Sequence, residues 1–245
     1  MAFFHGVRVK EVPTSILTPA STTAGLPVVF GTAPVHLTAD PEKNINRPVI
    51  CYSWNEAVAA FGYSDNWDEY TLSEVMYAQF KLYGVKPIIF VNVLDPKKHK
   101  EEVKDNDGRT VAAGRITLAD PVILASLKVK SSAAAEPAKN IEDYTAAYND
   151  DGKLVISVTP TGALKSADKL YLEYSKIDPS KVRDTDIIGG ASKTGTAGLE
   201  WLDSIYTLFS LVPGIVAAPG WSDRPSVAAV MKAKAMNISG LFRCI

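Results

Sequence analysis

A chain of 245 residues, 47% of them apolar, can fill the core of one large domain or two ordinary ones. Its 26 basic and 27 acidic side chains leave a net charge of −1, which removes the cationic footprint of a nucleic-acid binder. The start, MAFFHGVRVKEVPTS, lacks the long apolar run and small-residue cleavage site of a secretory signal, and the uncharged run from Ile205 to Trp221 is broken by Pro213, Gly214, Pro219 and Gly220, so neither secretion nor membrane insertion is expected.

Residues 1–25 differ in character from the rest of the chain. Val7 and Val9 alternate with Arg8 and Lys10 in a short strand-like piece, with Gly6 ahead of it and Glu11 and Val12 after it, and PTSILTPASTTAG behind suits an extended linker. This is either a sticky segment on a tether or a strand that folds back as an edge of its own sheet. Leu26–Ala33 (LPVVFGTA) and Val49–Ser53 (VICYS) are apolar runs of strand length, separated by a polar surface loop, HLTADPEKNINRP. Ser53 followed by Glu56 has the capping-box form ahead of a short helix closed by Gly62.

A second helix is predicted from Leu72, Val75, Met76, Phe80 and Tyr83, which recur at helical spacing; Thr71 with Glu74 supplies a capping box and Gly84 the stop. Asp65, Asp68 and Glu69, just ahead of it, favour the positive end of the helix dipole. The run after it, PIIFVNVL from Pro87 to Leu94, is apolar almost throughout and reads as a strand covered on both faces. The order β, β, α, α, β is that of helices packed on a largely buried sheet.

After Pro96 comes a mixed-charge surface stretch, KKHKEEVKDNDGR, and then the period changes to two. Leu127 and Val129, then Leu154, Ile156 and Val158, then Leu170, Leu172 and Tyr174 alternate with polar or smaller residues, and Asp151-Gly152 sits where a hairpin turn should. Helical spacing resumes with Leu199, Leu202, Ile205, Tyr206 and Phe209, stopped by Pro213-Gly214. IVAAP is the next buried strand, and Ser222 or Asp223 caps a helix with Pro225 in its first turn and Val227, Val230 and Met231 inward. LFRCI looks like a strand just starting, which suggests a truncated chain. The fold class is therefore an α/β (α+β) core with helices packed on a mixed sheet, plus an inserted antiparallel β-rich module. The expected division is 1–25 arm and linker, 26–107 first part of the core, 108–182 inserted module, and 183–245 second part of the core.

Residues that could carry chemistry are sparse. Cys51 and Cys244 are far apart and read as buried thiols rather than a disulfide or zinc site. His5, His36 and His99 have no metal-ligand spacing and are expected in solvent. IIGGASKTGTAG fails the P-loop spacing at Ile187 and Ser192, and fails GxSxG at Thr194, leaving a flexible connecting loop. Asp184-Thr185-Asp186 has a DxD form common in loops, and Asp105, Asp107 and Gly108 resemble a calcium loop whose first ligand position is Val103. No catalytic residue, cofactor or metal is expected.

The chain resembles the tail sheath proteins of contractile phage tails and related bacteriocin-like particles. The resemblance rests on HGVRVKEVPTS, LPVVFGTAPVHL, the block from YSWNEAVAAFG to KPIIFVNVLDP, KIDPSKVRDTDIIGG, and GLEWLDSIYTLFSLVPGIVAAPGWSDRPSVAAVMKAKAMNISGLF. It implies a structural subunit of stacked six-membered rings around an inner tube, with baseplate and terminator proteins as further partners, assembled in the bacterial cytoplasm into a virion tail or tail-like particle. It also implies that Gly6–Val12 is an inter-subunit arm strand adding to a neighbour's sheet, with Pro13–Gly25 as its linker. Sheaths of this type continue past the point where this chain ends. The alternative reading, from the alternating βα pattern and the Gly-rich loops, is a nucleotide- or small-molecule-binding α/β enzyme with a crevice at the carboxyl ends of its strands.

Overall fold

The computed structural model describes residues 25–192 and 195–238, together with Arg243. The arm segment Gly6–Val12, its linker up to residue 24, Lys193, Thr194 and Cys244 lie outside the described residues. The first part of the chain forms β1 (Pro27–Gly31), β2 (Pro48–Cys51), α1 (Trp54–Phe61), α2 (Thr71–Met76) with a π-helical continuation over Tyr77–Tyr83, and β3 (Ile88–Asn92). Seven strands come next: β4 (Lys100–Lys104), β5 (Arg109–Thr110), β6 (Arg115–Leu118), β7 (Lys128–Lys130), β8 (Tyr144–Tyr148), β9 (Leu154–Val158) and β10 (Lys169–Ile177). The last part contains α3 (Asp184–Ile188), β11 (Gly190–Ser192), β12 (Gly195–Ala197), a 3-10 helix Gly198–Ser204 running into α4 (Ile205–Phe209), β13 (Ile215–Ala217) and α5 (Pro225–Met236).

Apolar runs organise the first sheet, whose order is β13-β1-β3-β2. β1 is parallel to β3 with Val28 opposite Ile89, and parallel to β13 with Pro27 opposite Ile215; β2 closes the far side antiparallel, Val49 opposite Phe90. This is the mixed sheet expected. Ile88, Ile89, Phe90 and Val91 are fully buried, as a strand covered on both faces must be. Leu72 and Met76 of α2, Leu199, Leu202 and Ile205 from the later 3-10 and α4 segment, and Val227 of α5 join these strands in one buried cluster. Segments either side of the β-rich stretch thus share a core.

Residues in between build a second apolar cluster on antiparallel sheets. β10 is the spine of one sheet, flanked by β4 and β5 and by β7, and the other has the order β6-β9-β8. Ile116, Leu118, Val129, Leu154, Ile156, Leu170 and Leu172 supply its interior. Period two made β7, β9 and β10 legible. The stretch Lys100–Lys104, expected as mere surface, is instead a strand, because β10 offers it a ladder from Glu173 to Ile177 and its charges face solvent or pair across strands, as Lys104 does with Glu173 at 3.4 Å. At the expected turn, Asn149 N–H donates to Lys153 O and Gly152, at φ 71°, donates to Asn149 O, both at 3.0 Å.

Local capping differs between the two early helices. Ser53 caps α1 as expected, its hydroxyl accepting from Glu56 N–H at 3.3 Å, while Glu56 reaches back to Tyr52 N–H at 2.9 Å. Thr71 does not cap α2. It is the first helical residue, and the cap comes from the end of β1: Thr32 Oγ1 accepts from Thr71 N–H at 3.2 Å, Thr32 O accepts from Leu72 N–H at 3.0 Å, and Thr71 Oγ1 accepts from Thr32 N–H at 3.3 Å. Such contact requires Gly31, since a Cβ there would run into Thr71 Oγ1. Gly84 stops the second helix in the left-handed conformation as predicted, but the π turn rotates Tyr83 outward to 74% exposure. Two later boundaries also move: α4 ends at Ser210, before Pro213, and α5 takes Arg224 as its cap position, with Pro225 first in the helix as expected.

Candidate functional site

Side chains of the types that carry chemistry have been drawn into structural contacts. His99, expected in solvent, is buried; its Nδ1 accepts from Asp95 N–H at 2.9 Å and its Nε2 lies 3.4 Å from Asp186 Oδ2. Asp184 receives Arg224 Nη1 and Ser226 Oγ, each at 2.6 Å, and these two donors hold its carboxyl below the usual range. The DxD pair therefore ties α3 to the start of α5 and to His99. Asp105 accepts from the N–H groups of Asp107 and Gly108 and from Arg109 Nε, closing a turn. Burial, with the charge of Glu56, pushes the Cys51 thiol up to about 12. The Gly-rich stretch is a β11-β12 hairpin with Gly190 opposite Ala197 rather than a plain loop, and a Cβ on Gly189 or Gly198 would strike the facing backbone.

Among the described residues no group of three or more His, Cys, Asp or Glu is placed to hold a metal ion, and no helix is long and apolar enough to cross a membrane. His36 is the more informative histidine. It lies in the 3-10 turn Val35–Leu37 just beyond β1, inside a string of residues that looks like pure surface loop, yet it is only 6% exposed. Its ring sits between Tyr70, 5.9 Å away, and the edge of Tyr148, 5.4 Å away, and Tyr148 donates to Val122 O at 2.6 Å. Desolvation lowers its pKa to about 3, so the imidazole is neutral. Among the described residues, His36 Nδ1 and Tyr70 Oη are buried without a hydrogen-bond partner. Both side chains line a cavity of about 530 Å³ bounded by the loop before α2 and the β8–β9 hairpin tip, where the two clusters meet. Nothing in the local sequence of His36 signals this, because the burial is made by Tyr148, far along the chain.

Surfaces suited to assembly are also present. Gly25 leads through the buried Leu26, whose carbonyl accepts from Gly214 and Ile215 N–H at 2.9 and 3.1 Å, straight into the interior strand β1. Among the described residues the sheet has short edge strands, β13 and β2, and Ile215 is 42% exposed. Around α1 and the π turn, Trp54, Tyr63, Tyr77 and Trp67 form a chain of ring contacts with centroids 4.7 to 6.4 Å apart, and Lys81 Nζ stands 4.8 Å over Trp54. Tyr52, Leu82 and Tyr83 beside them are more than half exposed. Aromatic surface of this kind is enriched at protein–protein interfaces.

No protein-family model matches the chain. The tail sheath protein of Burkholderia phage BcepMu is 28% identical to it over 242 residues, which are 98% of this chain and 48% of that protein. The chain spans about half the length of the relative it matches. Over nearly its whole length, then, the chain is similar to a phage tail sheath protein, in agreement with the resemblance carried by its own residues.

Proposed function

We propose that the chain is a structural subunit of a contractile tail sheath that polymerises around an inner tube and shortens to drive it through a cell envelope. The observation that carries this reading is the similarity to a tail sheath protein along 98% of the chain. Its partners in this reading are further copies of itself in six-membered rings, the inner tube protein, and baseplate and terminator proteins, within a virion tail assembled in the bacterial cytoplasm. No reaction and no cofactor is assigned to it. The two apolar clusters support a rigid α/β body with a β-rich module inserted in it.

Gly6–Val12 is the arm strand in this proposal, adding to the sheet of a neighbouring copy by main-chain pairing. Each backbone bond contributes about 0.5 to 1.5 kcal/mol net, so one short strand holds weakly. Tethering through the Pro/Thr-rich linker makes later contacts effectively intramolecular, and a repeating lattice multiplies them. Electron microscopy of particles from the source tests the assembly: sheathed tails, tubes or rings containing the chain are expected, and their absence under every condition would overturn the reading. Val9→Pro, which removes a ladder donor, should leave the core folded and abolish assembly. Loss of the folded monomer would instead place the strand in its own sheet. Stabilisation growing with nucleotide concentration would favour the α/β enzyme reading.

A further inference from the structure

The two apolar clusters are joined firmly along one side and loosely closed along the other. The chain crosses between them after Leu94 and again along β10, whose Tyr174 belongs to one cluster and Ile177 to the other. These crossings are tied together, since Ile177 pairs with Lys100 of β4 and Asp178 N–H donates to His99 O at 2.9 Å. Away from that spine the clusters face each other across two clefts of about 420 and 530 Å³, and His36 lines both. Among the described residues, the hydrogen bonds made by residues 34–42 and 63–70 stay within residues 26–92. The ion pair that reaches across, Lys97 to Glu42 at 2.6 Å, joins two side chains more than half exposed and holds weakly. What closes the seam is ring contact, His36 against Tyr70 on its own side and against the edge of Tyr148 on the other. That closure leaves His36 Nδ1 and Tyr70 Oη buried without partners among the described residues, a cost that water would remove once the rings part.

We infer that this seam is a hinged joint: the β-rich unit swings away from the α/β body about the β4–β10 spine, and a proton on His36 holds the joint open. Elements that move are drawn from the least stable contacts of a fold, and two connections lying side by side allow rotation about one line. The acid response follows from what His36 meets in each form. Closed, its ring is shut off from water between the two tyrosines, and its pKa falls to about 3. Open, it regains water and looks onto Asp65, Glu69, Asp150, Asp151 and Lys153 in one cleft and Asp40, Glu42, Lys97 and Lys100 in the other, where acids outnumber lysines and favour an imidazolium. With the ordinary value of 6.5 restored, the open form binds a proton that the closed form refuses, so closure is favoured in full above pH 6.5 and loses ground as pH falls toward 3. Those two values raise the open-to-closed ratio about 25-fold between pH 7 and pH 5. The inference stands on the seam and does not rest on the sheath reading.

Electron–electron double resonance on the full 245-residue chain tests it. Nitroxides go on Lys232→Cys in α5 and Thr145→Cys in β8, two exposed positions on opposite sides of the seam, in a Cys244→Ser background where the fully buried Cys51 stays unlabelled. A second distance is expected to appear and grow as pH falls from 7 to about 4.5, with the circular dichroism of the folded chain retained and the ratio of the two populations climbing as worked out above. His36→Phe and His36→Gln each remove the titration, one keeping the ring shape and the other a small polar group, and in whichever of them folds the populations should no longer respond to pH. A single unchanged distance down to about pH 4.5, a second distance indifferent to pH while His36 is present, or equal acid growth in a folded variant would overturn the inference. So would loss of circular dichroism in step with the new distance, because the change would then be unfolding rather than the turning of a joint.

Discussion

His36 makes the stability of this protein depend on pH in a direction that can be worked out. Its imidazole, with an ordinary value of 6.5, is lowered to about 3 by burial between Tyr70 and Tyr148. Between those two values the unfolded chain binds a proton at this site that the folded chain refuses. The contribution is therefore fully present above pH 6.5 and is lost as pH falls toward 3. At pH 5 the unfolded imidazole is almost wholly protonated and the folded one almost wholly neutral, a differential of about 1.5 pK units, or about 2 kcal/mol. His36→Phe keeps a planar ring in the same aromatic slot and removes the titration. Urea denaturation of both proteins at pH 7 and pH 5 cancels the carboxylates common to them. The variant should gain about 2 kcal/mol on the native chain over that interval. Profiles that stay parallel to within about 0.5 kcal/mol would show that the ring is hydrated or paired in the fold, and the reasoning would fail.

Three further outcomes rest on named contacts. Asn92 is fully buried, its Oδ1 accepting from Ala33 and Leu94 N–H at 3.1 Å and its Nδ2 donating to Leu94 O at 3.0 Å, so Asn92→Asp sets a carboxylate oxygen against a carbonyl. Its folded pKa is thereby raised; stability should be near native at low pH and about 2 to 4 kcal/mol lower at pH 7, where equal urea midpoints would refute it. Gly31→Ala should cost about 1 to 3 kcal/mol in the same assay, because the new methyl displaces the Thr71 hydroxyl from Thr32; an unchanged midpoint would show that β1 and α2 can separate freely. In a Cys244→Ser background, Cys51 should react with a disulfide reagent at pH 8 only as fast as the fold opens, and rapid labelling of the native protein would contradict its burial.

What could be read from the residues was whatever a short window determines. PIIFVNVL announces a doubly covered strand because nearly every position is apolar, and Gly62, Gly84 and Asp151-Gly152 announce stops and a turn because backbone angles demand them. What escaped was set by distant partners. Thr32 caps a helix 39 residues away, β10 turns a charged stretch into a strand, and Tyr148 buries a histidine that sits in an otherwise polar string. Most of the cleft around His36 was invisible for the same reason: its acids come from a pre-helix loop and a hairpin tip that meet only in the folded chain.

The entry of the chain into β1 has a mechanical consequence. β1 lies inside its sheet, with a parallel neighbour on each side in register from Pro27 and Val28 onward. Tension drawn along the strand from Leu26 would load both ladders in shear, so that several backbone bonds must break together. A force on a sheet margin would instead peel them one after another. Under such a load any yielding should begin in the flanking loops before the middle of the sheet gives way.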